Sequence, residues 1–216
     1  MNKRIRVNQA QSIQAIGGRS NFRPDNCCGP GSTNTNGDTT LTDTGSIIPY
    51  ASGLPVVLTT VAEGLVGTTS LVGFGSSVTG VTLLGSNQID LTGAGGTLLN
   101  FAFSVPRDGT ITSIAAYFSA TASVTLLGDT TIQAQLYRSA DPSTNIFTAI
   151  PETLVTLTPT IDAPITLGDI ARGTLSDLSV AVSQGDRLLM VFSATVEGVT
   201  LVGTVAGYAS AGVNIK

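Results

Sequence analysis

The chain has 216 residues, only 11% of them charged, with 25 glycines, no histidine and a formal net charge of −4. A globular chain usually carries about 25% charged residues, so this low charge, with a mean hydropathy of +0.33, points to surface buried between subunits. The lack of His excludes Ser-His-Asp catalysis and His-liganded metal sites. The lysines are Lys3 and Lys216 alone, which argues against a Lys base or Schiff base, and the acidic balance argues against a nucleic-acid partner.

The charge is unevenly placed. Residues 1–40 hold five basic and two acidic side chains, a net of +3, and residues 41–216 hold five basic and twelve acidic ones, a net of −7. A basic N-terminal segment and an acidic body attract each other in a salt-dependent way. Lys3, Arg4 and Arg6 precede VNQAQSIQAI, which is too polar for the apolar core of a secretory signal. The longest uncharged stretch, 64–89, is rich in Gly, Ser and Thr and does not suit a membrane span. The expectation is a protein made in a cytosol without a signal peptide.

Residues 1–26 read as a connector arm. Ile5, Val7, Ile13 and Ala15 fall on odd positions with Gln9 and Gln11 between them, a period of two that is strand-like. A shorter helical reading runs through Ile13 and Ile16. A lone strand is not stable in water, so the segment needs a sheet edge, and Ile5, Val7, Ile13 and Ile16 are its candidate inter-subunit docking residues. Residues 27–46 read as a flexible linker of Gly, Pro, Ser, Thr, Asn and Asp. Residues 29–46 would span roughly 25 Å as a coil and about 60 Å when stretched. At its start stand Cys27 and Cys28. Neighbouring Cα atoms sit about 3.8 Å apart, short of the roughly 5.5 Å of a relaxed disulfide. With no third cysteine in the chain, the expected partner of each is another copy.

Residues 47–216 read as an all-β head, a sandwich or barrel of short strands between turn signals. In 98–105 Leu99, Phe101, Phe103 and Val105 alternate, and the turn PRDG follows. In 110–121 the pattern puts Ile114, Ala116, Phe118 and Ala120 on one face, with Ile111 and Tyr117 on the other. Residues 130–139 alternate Ile132, Ala134, Leu136 and Arg138. Strands are also expected near 152–158, over 178–183 and over 187–196, with VTLVGTV pairing with AGYASAGVNI at the end. Residues 167–178 admit a short helical turn. The recurring GLVG, SLVG, TLLG and TLVG runs, ending at Gly67, Gly73, Gly85, Gly128 and Gly203, read as strand ends.

Paired carboxylates are the catalytic groups that remain. Asp90, Asp108, Asp129, Glu152, Asp162 and Asp186 mostly stand in turn contexts, and no Walker, zinc or calcium pattern occurs. The expectation is a non-enzymatic protein with no cofactor and no metal. Among the four tyrosines, Tyr117, Tyr137 and Tyr208 are candidates for a trimer interface, where aromatic residues are enriched.

The runs IIPYASG (47–53), GTLLNFAFSVPRDGTITSIAAYFSAT (96–121), AQLYRS (134–139), RLLMVFSAT (187–195) and VAGYASAGVNIK (205–216) resemble the C-terminal domain of BclB-type Bacillus exosporium glycoproteins. The resemblance implies a homotrimeric jelly roll of the tumour-necrosis-factor and complement type on the surface of a spore. Those proteins carry a collagen-like G-X-Y stalk before the head, and here residues 27–46 stand in its place. In plan alone the arm resembles the connectors of spore-appendage pili. The functional expectation is a self-assembling fibre subunit of the spore surface, its heads trimerising and its arms docking into the neighbouring trimer. The alternative is a discrete trimeric head held by its arm to a coat or exosporium anchor protein and serving adhesion or ligand binding.

Overall fold

A computed structural model describes residues 45–60, 66–83, 87–92, 101–125, 129–161, 166–196 and 203–216. The candidate docking residues Ile5, Val7, Ile13 and Ile16, and both Cys27 and Cys28, lie outside the described residues.

The first layer is built around β14 (Thr204–Ile215). It pairs antiparallel with β7 (Gly109–Thr125) along its whole length. Its other edge takes β2 (Val56–Thr60) beside Thr204–Gly207 and β1 (Ser46–Ala51) beside Ser210–Ile215. Beyond β7 lie β11 (Ile170–Leu175) and β12 (Val180–Val182). The second layer runs β3 (Val66–Val72), β13 (Arg187–Val196), β8 (Thr130–Ser139), β9 (Ile146–Ala149) and β5 (Gln88–Asp90). Short strands flank it: β4 (Ser77–Thr82) on β3, β6 (Phe103–Ser104) on β13 and β10 (Val155–Thr156) on β8. The two layers are continuous through β2–β3, so the molecule is an all-β sandwich, as its alternating sequence predicts.

The core between the layers is supplied by alternate residues of facing strands. Ile114, Ala116, Phe118 and Ala120 of β7 point inward with Val205, Ala209, Ala211 and Val213 of β14, against Ile132, Ala134 and Leu136 of β8 and Phe192 and Ala194 of β13. A β-strand turns successive side chains to opposite faces, which is why this set was visible in the sequence. Ile111 departs from the expectation that it shares a face with Tyr117. It is buried in the same core, because the β7–β14 ladder shifts register between Asn214 and Ile215 and the extra residue returns Ile111 to the inner face.

Two other expectations are corrected. Residues 167–178 hold a turn and then β11, with no helical turn; Ala171 is buried in the core and Arg172 exchanges backbone hydrogen bonds with Thr158 at 2.8 and 2.9 Å. The terminal segment is no hairpin of 199–205 with 206–215: Thr204–Ile215 is one strand, and Gly207 lies within it. Gly207 is where the Phe118 ring presses in. A Cβ at Gly207 would meet Phe118 Cζ and the Ser119 carbonyl oxygen well inside contact distance.

A second cluster lies on the far side of the second layer. Leu71, Tyr137, Leu189 and Val191 face away from the core and are covered by Ile89 and Leu91, with Val78, Val81, Leu83 and Phe101 packed around them. The excursion between β3 and β6 therefore forms a partial third layer, and β13 is buried on both faces along Leu188–Phe192.

Gly207→Ala overfills the β7–β14 contact, so it should lower stability by about 1–3 kcal/mol. Chemical denaturation of the purified variant and wild type checks this, and an unchanged midpoint would contradict the packing.

Candidate functional site: an uncovered sheet face

The outer face of the first layer has no such cover among the described residues. Along β7 it presents Ala115, Tyr117 and Ser119, and along β14 Ala206, Tyr208, Ser210 and Gly212. The register places Tyr117 opposite Ser210 and Tyr208 opposite Ser119, so the two rings are diagonal neighbours within reach of each other. β11 adds Ile170, Arg172 and Thr174, with Arg172 opposite Tyr117, and β1 adds Ile47 and Pro49, opposite Asn214 and Gly212. Ile47 is 73% exposed, Tyr208 48%, Ile170 45% and Tyr117 39%. A shallow depression of about 500 Å³, lined in part by Pro49, Tyr117, Arg172, Thr174, Ser210 and Gly212, lies at its centre.

The face is chemically unusual for a solvated sheet. Arg172 is the charged group on these strands' outer positions, and the rest are aromatic, aliphatic, hydroxyl, amide or glycine side chains. An antiparallel sheet exposed to water alternates apolar-in and polar-out. Here the out-facing positions are small or apolar, which flattens the surface and lets another surface approach closely. Exposed aromatic and aliphatic side chains grouped around a single charge mark an interaction site.

Tyr117 and Tyr208 thus lie together on a face that is open among the described residues. Tyr137 does not join them. It is 3% exposed and sits in the outer cluster of the second layer, where the excursion covers it. Burial raises its phenol above the ordinary tyrosine value, and a side chain already enclosed by its own chain has no area left for a partner. Ile47, Ile170 and Arg172 were not singled out by the sequence: residues 167–178 were allowed a short helical turn, and Ile47 stands at the start of the head.

Three of the carboxylates accept from backbone N–H groups, Asp90 and Asp186 within local turns and Asp108 across to a distant loop. Asp90 Oδ1 accepts from the Thr92 N–H at 2.8 Å, Asp108 Oδ1 from Gln184 N–H at 2.7 Å and Asp186 Oδ2 from Ser183 N–H at 2.9 Å. Asp162 lies outside the described residues. No group of three or more His, Cys, Asp or Glu side chains that could hold a metal occurs among the described residues, and none of the described helices is long and apolar enough to cross a membrane.

No family model matches the chain. The chain is similar to part of a collagen-like protein. It is 36% identical over 181 residues to "Collagen-like protein 1" of Acanthamoeba polyphaga mimivirus, a match that covers 81% of this chain and 19% of the relative. The chain therefore spans about a fifth of the length of the curated relative it matches.

Tyr50 lies directly beneath the open face. Its ring is stacked on Phe74 with centroids 5.3 Å apart, and its hydroxyl is buried without a hydrogen-bond partner. Burial pushes its pKa far above the ordinary tyrosine value of about 10. The unfolded chain therefore loses this proton first as pH rises, so the folded state loses stability above the unfolded value of about 10. The melting temperature should fall above about pH 10, and Tyr50→Phe should flatten that fall. An identical alkaline profile in the variant would show that Tyr50 does not cause it.

Proposed function

We propose that this chain is a non-enzymatic structural surface protein whose heads associate as homotrimers through the face carrying Tyr117 and Tyr208. The observation that carries the reading is the asymmetry of the sandwich: one outer face is covered by its own excursion, while the other presents tyrosines, Ile47 and Ile170 to solvent. The likeness to one segment of a collagen-like protein supports a head that works as part of a larger assembly. The likeness of residues 47–216 to exosporium head domains supports a spore as the surface.

The N-terminal segment then joins the trimers. Residues 1–26 supply an alternating apolar strand, and Cys27 and Cys28 supply the cross-link between copies. A contact from one copy's arm to the next copy's head is heterologous and does not close, so it propagates as a filament. A disulfide at the junction forms after the protein leaves a reducing compartment.

Tyr117→Asp with Tyr208→Asp, placed where like charges would meet across a symmetric contact, should convert trimers to monomers in sedimentation equilibrium. Trimers that survive this pair would rule out the face. Negative-stain electron microscopy of the full chain beside a chain beginning at Thr40 should show filaments for the first and discrete particles for the second. Discrete particles from both would favour a head anchored by its arm to another protein.

A further inference from the structure

The sandwich is sealed unevenly along the side opposite β2–β3. In one half, Thr158 and Arg172 exchange backbone hydrogen bonds and join β10's segment to β11. In the other half the layers stay apart, and a groove of about 1010 Å³ opens between β8–β9 and the segment 177–181. Among the described residues a single hydrogen bond crosses between these walls, from Arg138 Nη1 to the Ala181 carbonyl at 3.1 Å. Arg138 Nη1 also lies 3.7 Å from Asp186 Oδ2.

One wall of this groove is an open strand edge. Thr110 exchanges its N–H and carbonyl bonds with Lys216 on the β14 side, so its neighbours Gly109 and Ile111 point their main-chain groups toward β12. They stand opposite Val182 and Val180. Ala181, between those two, therefore directs its N–H and carbonyl away from β7 and into the groove, where the Arg138 contact on its carbonyl confirms the direction. The Ala181 N–H has no partner among the described residues. The floor is apolar: Leu178 and Val180 are partly buried against the core, and Ile146 is 45% exposed. The rim is acidic. Among the described residues Asp141, Glu152 and Asp177 line it against Arg138 as the one cation, a net of −2. Asp141 stays ionised because the Ser143 hydroxyl and N–H donate to it and lower its pKa.

We propose that this groove is the docking site for residues 3–7 of a second copy, laid beside β12 as an added strand. The proposal rests on the reading that arms join neighbouring copies. The sequence KRIRV places Ile5 and Val7 on one face of an extended segment and Arg4 and Arg6 on the other. That is the complement of an apolar floor under a carboxylate rim. Main-chain bonds to Ala181 supply affinity and the alternating side chains supply register, with Arg138 retaining Asp186 as it leaves the Ala181 carbonyl. Residues 8–44 reach at most about 130 Å when extended, and β14's twelve residues measure about 40 Å, so the length of the arm is enough to reach a neighbouring head.

The test uses the full chain. Glu152→Lys with Asp177→Asn turns the groove from −2 to +1, and Asn suits the positive φ of 59° at Asp177. Arg4→Glu with Arg6→Glu alters the arm alone. Each pair should raise the concentration needed for filament growth, read by light scattering and electron microscopy, at least tenfold at low salt. All four changes together should bring it back to within about threefold of wild type. Unchanged melting temperatures show that the heads remain folded. If the groove pair assembles normally while a chain lacking residues 1–26 does not, the arm still links copies but docks elsewhere, and the groove assignment is overturned. If loss on either side is not restored by the combination, charge matching is overturned. Filaments from the chain lacking residues 1–26 would overturn the arm reading itself.

Discussion

The fold depends on how β7 and β14 divide the volume between them. β7 sends Ile114 and Phe118 into the core, and β14 answers with Gly207, Ala209 and Ala211 at the adjacent positions. A Phe118 ring reaching over Gly207 sets how deeply the first layer sits on the second. At the middle of β14, Gly207, Ala209 and Ala211 leave room for large neighbours on both β7 and the opposing layer. That strand then organises the layer, because β1 and β2 share its other edge.

This division of volume also decides what the molecule shows to solvent. The second layer carries large side chains on both faces, among them Leu71, Tyr137, Leu189 and Val191 on the outer one. Left bare, that face would be an apolar patch of the kind that aggregates, and the chain covers it with residues of the excursion between β3 and β6. The first layer carries Ala115, Ser119, Ala206, Ser210 and Gly212 on its outer face. These side chains are small, so the face is flat. Tyr117 and Tyr208 rise from that plane with one apolar body and one polar tip each, the composition that interfaces favour.

The sequence was most legible where a strand contacts only its neighbours. Residues 187–196 were expected as a strand, and β13 occupies that span. The alternation of Ile132, Ala134 and Leu136 placed the inner face of β8 correctly. Tyr137 was illegible because period-two patterning identifies an outer face but not what later folds over it, and its cover comes from Ile89 and Leu91, far away in sequence. Ile111 was misplaced because one bulge shifts the parity of everything before it. Residues 167–178 look turn-rich and weakly apolar, and only pairing with β7 makes Ile170–Leu175 a strand. The open face suffered from the same limit, since half of it comes from β11 and β1.

An exposed strand edge is a hazard that proteins usually blunt with charge, proline or a bulge. β1 does so with Pro49. The β12 edge is treated differently. A cationic side chain, Arg138, is laid across its carbonyl, held by one hydrogen bond and one ion pair 3.7 Å long. Such a guard is partly exposed and easily displaced, and an ion pair of that kind contributes at most about 1 kcal/mol. A permanent seal was available to the fold, because the adjacent half of the same side is closed by backbone bonds between Thr158 and Arg172. One half sealed by main chain and the other only latched by a side chain suits the docking proposed above: such an edge is closed enough to discourage indiscriminate pairing, and open to a segment that brings its own cations and apolar anchors.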